Sequence, residues 1–102
     1  MTTTSEQIKA ARAMLRWDQK RLAEMSRVSL PSVKRLEARP GPLAAQPRTV
    51  AAMVGALENA GIRFLDAGDE GGAGAGPGVR LAYSGPPDEG LRPDELSAAN
   101  DG

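Results

Sequence analysis

Ser29, Ser32, Lys34 and Arg35 fall within seven residues of one another in the stretch RLAEMSRVSLPSVKRLE, residues 21–37. Two hydroxyls and two cations on so short a segment suit hydrogen bonding and charge recognition; they do not by themselves make or break bonds. The rest of the chain adds little reactive chemistry. It has no histidine and no cysteine, which removes imidazole acid–base chemistry, thiol nucleophiles, disulfides and zinc fingers. Its carboxylates are spread along the chain, so neither a nucleophile–base pair nor a metal cluster is expected. No enzyme, no metal and no cofactor is predicted. The competing reading of Lys34 and Arg35 is a solvated helix face with no partner, and the elements that carry them bear on the choice.

The same stretch holds two apolar, helix-spaced runs, Leu22-Ala23 and Val33-Leu36, separated by a short polar break. Asp18 is a good N-cap for a helix over about 19–25, whose apolar face is Leu22, Ala23 and Met25. Ser29 caps a following helix over about 30–37. Pro31 falls in its first turn, where the missing N–H does little harm, and Val33 and Leu36 point inward. Two helices of about two turns, joined by a short turn, have the spacing of a helix-turn-helix, in which the first helix braces the second against the DNA major groove. That arrangement needs a small residue in the first helix (Ala23), an apolar residue after the turn (Val28), buried Val33 and Leu36, and a polar remaining face. All are present. The turn has no glycine; Arg27 stands before Val28.

The flanking elements follow from periodicity. Residues 1–4 read as a disordered lead. Thr4 and Gln7 have capping-box spacing and open a helix from about Ser5 to Leu15, with Ile8, Ala11 and Leu15 as its buried stripe. Residues 38–47, with three prolines and a glycine, read as a loop. A fourth helix over about 48–60 places Val50, Met53 (or Val54) and Leu57 at helical spacing and stops at Gly61. The period then changes to two. Residues 62–67 set Ile62 and Phe64 inward against Arg63 and Leu65, and residues 78–83 set Val79, Leu81 and Tyr83 against Arg80 and Ala82. A glycine-rich link joins these strands into a hairpin. A lone hairpin is marginal in water, so it must pack on the helices or pair with a second copy. Residues 84–102, rich in proline, glycine and acids, read as a disordered tail, with a short helical turn near 93–99. The predicted fold class is mostly α: a four-helix domain over 1–61, a hairpin over 62–83 and an acidic tail over 84–102.

The 102-residue chain has zero net charge, but the charge is not evenly spread. Through Leu65 there are eleven Lys/Arg against five Asp/Glu, a net of +6; beyond it there are two against eight, a net of −6. A basic module followed by an acidic segment suits polyanion binding, with composition drift as the bland alternative. Aromatic residues make up only 3%, so the core must be built from Ala, Leu, Val, Ile and Met. No apolar run approaches the roughly 18 residues of a membrane span. The opening MTTTSEQ lacks the basic-then-apolar pattern of a signal peptide, and a cytoplasmic location is expected. The glycines of 71–78 lack the strand-turn-helix context of a phosphate loop.

The segment IKAARAMLRWDQKRLAEMSRVSLPSVKRLEA resembles the Xre/Cro/phage-repressor-like helix-turn-helix family. The resemblance rests on Arg12, Asp18-Gln19, Leu22-Ala23, Val28-Ser29, Val33 and Leu36-Glu37, and covers residues 6–60. The following ALENAGIRFLDAG…GPGVRLAY is similar to a small bacterial version of that family, whose last helix runs into a glycine-rich β-hairpin. The resemblance implies that Gln19 touches a backbone phosphate and buttresses the recognition helix. It implies that Ser29, Leu30, Pro31, Ser32, Lys34 and Arg35 face DNA. Arg35 is then the candidate for a guanine contact and Lys34 for a phosphate or base. Ser29 and Ser32 suit phosphates or base edges, and Leu30 or Pro31 suits a thymine methyl. Arg39 and Arg48 correspond to phosphate clamps. Arg12 and Glu37 correspond to a structural salt bridge between the first and third helices. The family usually has glycine at the position of Arg27, where φ is often positive; a basic residue there would also lie near phosphate.

The function expected on this basis is a sequence-specific, bacterial transcription regulator, a repressor that binds double-stranded DNA at a palindromic operator as a homodimer. Ile62, Phe64, Val79, Leu81 and Tyr83 are expected to form the dimer contact. The alternative is an antitoxin or anti-repressor whose acidic tail folds onto a protein partner, a toxin or another regulator, and which also acts on its own promoter.

Overall fold

The computed structural model describes residues 2–69 and 74–82. Its helices start where a capping side chain or a proline can start them. Thr4 caps α1 (Ser5–Leu15): its hydroxyl accepts the Gln7 N–H and the Gln7 carboxamide accepts the Thr4 N–H, satisfying two otherwise orphaned donors. Asp18 accepts the Arg21 N–H to open α2 (Gln19–Ser26), and Ser29 accepts the Ser32 N–H to open α3 (Leu30–Ala38). Helix α4 (Pro47–Asn59) begins with a proline, which is pre-set for a first turn. Strands β1 (Ile62–Leu65) and β2 (Gly78–Leu81) then pair antiparallel, with Ile62 opposite Leu81 and Phe64 opposite Val79. The described part of the chain is thus mostly helical, four helices followed by a two-strand hairpin.

The helices meet on one core. Ile8, Leu22, Val33, Met53 and Leu57 are fully excluded from solvent, with Ala11, Ala23, Leu36, Val54 and Ala56 filling between them. The fourth helix uses both Met53 and Val54, adjacent positions that broaden its buried stripe. Ile62 and Phe64 complete the same core from the hairpin, and Val79 packs against it. The hairpin therefore solves its stability problem by packing on its own helices. Gln7 adds a polar tie, its amide donating to the carbonyls of Leu65 and Gly78, both at 3.0 Å.

Several expectations change. Residues 2–4 are not a loose lead: Thr3 is buried, Leu43 N–H donates to its carbonyl, and Ser5 N–H donates to Gly41. The proline-rich loop is held against the N-terminus by backbone bonds that residue type does not announce. Met25 is exposed, because Leu22, Ala23 and Ser26 take the inward face of α2. Both strands are shorter than their apolar alternation. The Asp69 carboxylate accepts the Asp66 N–H, so the chain turns instead of continuing the ladder. Leu81 is 47% exposed at the end of β2, whereas Ile62 and Phe64 are inside, packed in the chain's own core. Tyr83, the tail over 84–102 and the turn near 93–99 lie outside the described residues. Among the described residues no helix is long and apolar enough to cross a membrane.

Candidate nucleic-acid interface

Helix α3 is held from behind by a charged brace. Arg12 on α1 meets Glu37 on α3 in a two-pronged ion pair, Nη2 to Oε1 at 2.6 Å and Nε to Oε2 at 2.7 Å. Such parallel N–H···O bonds fix both distance and plane. The third arm of the guanidinium donates to the Trp17 carbonyl at 2.9 Å, and Gln19 Nε2 donates to Glu37 Oε1 at 3.1 Å. One buried carboxylate, with its side chain 2% exposed, therefore ties α1, the α1–α2 corner, α2 and α3 together. The Glu37 hydrogen bonds raise the pKa of Arg12 above its ordinary value despite the opposing effect of burial. The Arg12–Glu37 pairing and the buttressing part of the Gln19 expectation are present in the geometry. Trp17 packs against the core beside this brace, with the Arg21 guanidinium 5.7 Å from its ring centre.

The turn between α2 and α3 answers the question of the missing glycine. Arg27 adopts the left-handed conformation, φ 62° and ψ 26°, that glycine would take without cost. Its side chain is exposed, so the strain is confined to the backbone. Ser26 supports the corner: its buried hydroxyl donates to the Leu22 carbonyl at 2.7 Å and accepts the Val28 N–H at 3.3 Å. Arg16 ends α1 in the same conformation, φ 59°, with its N–H bonded to Ala13. Sequence reasoning marked only one of these two strained arginines.

The outward stripe of α3 is Pro31, Lys34, Arg35 and Ala38, all exposed, at spacings that share one helical face. Leu30 is half-buried against the core, which leaves Pro31 as the exposed apolar group of the first turn. The Ser29 hydroxyl donates to that of Ser32 at 2.9 Å, so this pair is pre-aligned at the helix start. Beside the stripe runs an open groove of about 580 Å³ between the α2–α3 turn, α3 and the start of α4. Arg27, Ser32, Arg35 and Arg48 line it, over a floor of Val28, Leu36, Ala44, Ala45 and Ala52. No Asp or Glu is among its lining residues. Arg39 and Arg35 line an adjoining smaller recess. Among the described residues, no carboxylate pairs with Arg27, Arg35, Arg39 or Arg48.

Thus four of the sequence-predicted residues, Arg27, Ser32, Arg35 and Arg48, share one groove, with Arg39 at its margin. Lys34 stands on the same helix outside it, and Gln19 sits at the brace behind α3. Among the lining residues that went unmarked are two polar ones at the start of α4, Gln46 and Thr49. No local signal identifies them, because their place beside α3 depends on the path of the 39–46 loop. No protein-family model matches the chain, and comparison with curated proteins returns no significant match.

Proposed function

We propose that the chain is a sequence-specific double-stranded-DNA-binding transcription regulator, with α2 and α3 as a helix-turn-helix and α3 as the major-groove element. The supporting observation is the acid-free groove of Arg27, Arg35 and Arg48 running beside the exposed stripe of α3, which the Arg12–Glu37 brace holds at a fixed angle. Phosphate recognition needs cations with no competing carboxylate partner, and base recognition needs polar side chains on a rigid element. On this reading Arg35 reads a guanine edge. Arg27, Arg39 and Arg48 hold phosphates, and Lys34, Ser29 and Ser32 take phosphates or base edges on the same face. Gln19 keeps a second amide N–H, beside the one given to Glu37, for a phosphate at the start of α2, and Pro31 meets a thymine methyl.

A domain of this size covers little DNA, so two copies on a palindromic operator, with recognition helices about 34 Å apart, are part of the proposal. Among the described residues, Leu81 is the large apolar side chain of the hairpin that stands exposed, at the end of β2, and is offered for that contact. Sedimentation of Leu81→Glu should show a weakened dimer, and an unchanged dimer constant removes the hairpin from the interface. The site itself is tested by selecting duplexes from a random library and comparing wild type with Lys34→Ala/Arg35→Ala. Undiminished binding of the selected duplex by the double variant would refute the assignment of α3. The dependence of binding on salt counts the phosphate contacts separately.

A further inference from the structure

The acidic part of the sequence carries a doubled pattern that matches the groove. PDEGL at 87–91 and PDEL at 93–96 each place two carboxylates after a proline and before a leucine, with Asp88 and Asp94 six positions apart. We propose that this segment of the same chain docks in the arginine groove and occupies it when no other polyanion is present. Asp88, Glu89, Asp94 and Glu95 offer four carboxylates to Arg27, Arg35, Arg39 and Arg48, which have no carboxylate partner among the described residues. Guanidinium and carboxylate pair in two-pronged fashion, and a site without acids of its own leaves all four cations open to that pairing. The groove floor of Val28, Leu36 and three alanines takes the leucines that follow the acid pairs.

Covalent reach permits it. The chain leaves the hairpin at Ala82, whose N–H donates to the Gly61 carbonyl at 2.7 Å, beside the C-terminal end of α4. The groove lies at the other end of that helix, at Gln46, Arg48 and Thr49. Thirteen helical residues at 1.5 Å each give a separation of about 20 Å. Asp88 is six residues beyond Ala82, and six extended residues span about 20 Å. The first acid pair reaches the groove at full stretch, and the second reaches it with slack. Because the segment is tethered, its effective concentration at the groove is of order millimolar, enough for weak ion pairs to compete.

The docking itself does not depend on DNA binding; only its consequence, that the segment acts as an internal competitor, rests on the function proposed above. The test compares the full-length wild type with the full-length variant Asp88→Asn/Glu89→Gln/Asp94→Asn/Glu95→Gln by amide NMR at low salt. The expected result is a shift in the amides of Arg27, Ser32, Arg35, Arg48 and Thr49 that is the same at every protein concentration. The neutralised variant should also bind a duplex about tenfold more tightly than wild type, a gap that closes as salt rises. Unmoved groove amides, or changes confined to Lys20 and Arg21 on α2, overturn the proposal. Shifts that fade on dilution assign the occupant to another copy and overturn the intramolecular form. Groove shifts with no duplex binding by either protein uphold the docking and sink the DNA reading instead.

Discussion

Arg12 and Arg35 are the same residue type within one small helical domain, and their surroundings are opposite. Arg12 is spent: all three arms of its guanidinium are engaged, two by a buried carboxylate and one by the Trp17 carbonyl. Arg35 stands exposed on α3 among Arg27 and Arg48, in a groove without acids. A half-buried cation paired with a buried carboxylate makes geometry, because breaking the pair strands the carboxylate out of water; an exposed cation without an acid makes affinity, because its partner can come from outside. The two regions lie on opposite aspects of the same helix, Glu37 inward and Arg35 outward. One turn of α3 thus separates a buried, paired carboxylate from an exposed cation with no acid beside it.

The sharpest way to break this comparison is at the brace. Arg12→Met leaves the Glu37 carboxylate buried with only the Gln19 amide, and should cost about 3–5 kcal/mol. For a domain of this size that lowers the melting temperature by more than about 12 °C, readable by circular dichroism. Arg12→Met/Glu37→Leu should regain most of the loss, since the stranded charge is gone. A melting point unchanged by the single variant would mean that the pair contributes nothing to the fold.

Next in size is Arg35→Ala, which should weaken selected-duplex binding by about 10- to 100-fold, a loss of roughly 1–3 kcal/mol. Its melting temperature should stay within the change of about 0.5 kcal/mol expected of surface sites. A large loss of stability would place Arg35 with Arg12 and dissolve the contrast.

Arg27→Gly probes both roles at once. Relieving the left-handed arginine should stabilise the domain by about 1 kcal/mol, a rise of roughly 4–8 °C, while the salt slope of duplex binding falls by about one unit. Arg16→Gly should give the same thermal gain with the slope intact, because Arg16 lies outside the groove.

The smallest effect belongs to Glu6. Its carboxyl is held below the usual carboxylate range by a hydrogen bond from its own backbone N–H, and then by that of Gly41 at 3.1 Å. A lowered folded-state pKa gives stability that is present above the unfolded value and lost as pH falls through the folded one. Glu6→Gln should slightly lower stability at neutral pH and leave it unchanged at the acid end, flattening the profile between them, as measured by urea titration at several pH values.

Local rules reached far into this fold. Thr4, Asp18 and Ser29 mark three helix starts because a short oxygen side chain satisfies N–H groups only two or three residues away. The inward residues of α3, Val33 and Leu36, follow from a period of 3.6. The same rules failed where a distant segment decides. Gln7 reads as a cap, yet its amide also binds two strand carbonyls more than fifty residues away. Met25 and Leu81 suit a buried face by pattern and are exposed, since a small core has room to enclose only some of the apolar side chains offered to it. Of the groove, Arg35 and Arg48 were legible as cations, but their meeting there was not.

What the sequence determined by itself was the set of helices, most of the side of each that turns inward, and the split of charge into a basic body and an acidic remainder. These rest on bonds and sterics within a few residues, which linear spacing records. The tertiary structure decided that the hairpin packs on its own helices and that Glu37 gathers Arg12 and Gln19. It also decided that Arg27, Arg35 and Arg48 line one groove. Those outcomes depend on how four helices and a loop share a single core, which is a property of three-dimensional packing and is written in no short stretch of chain.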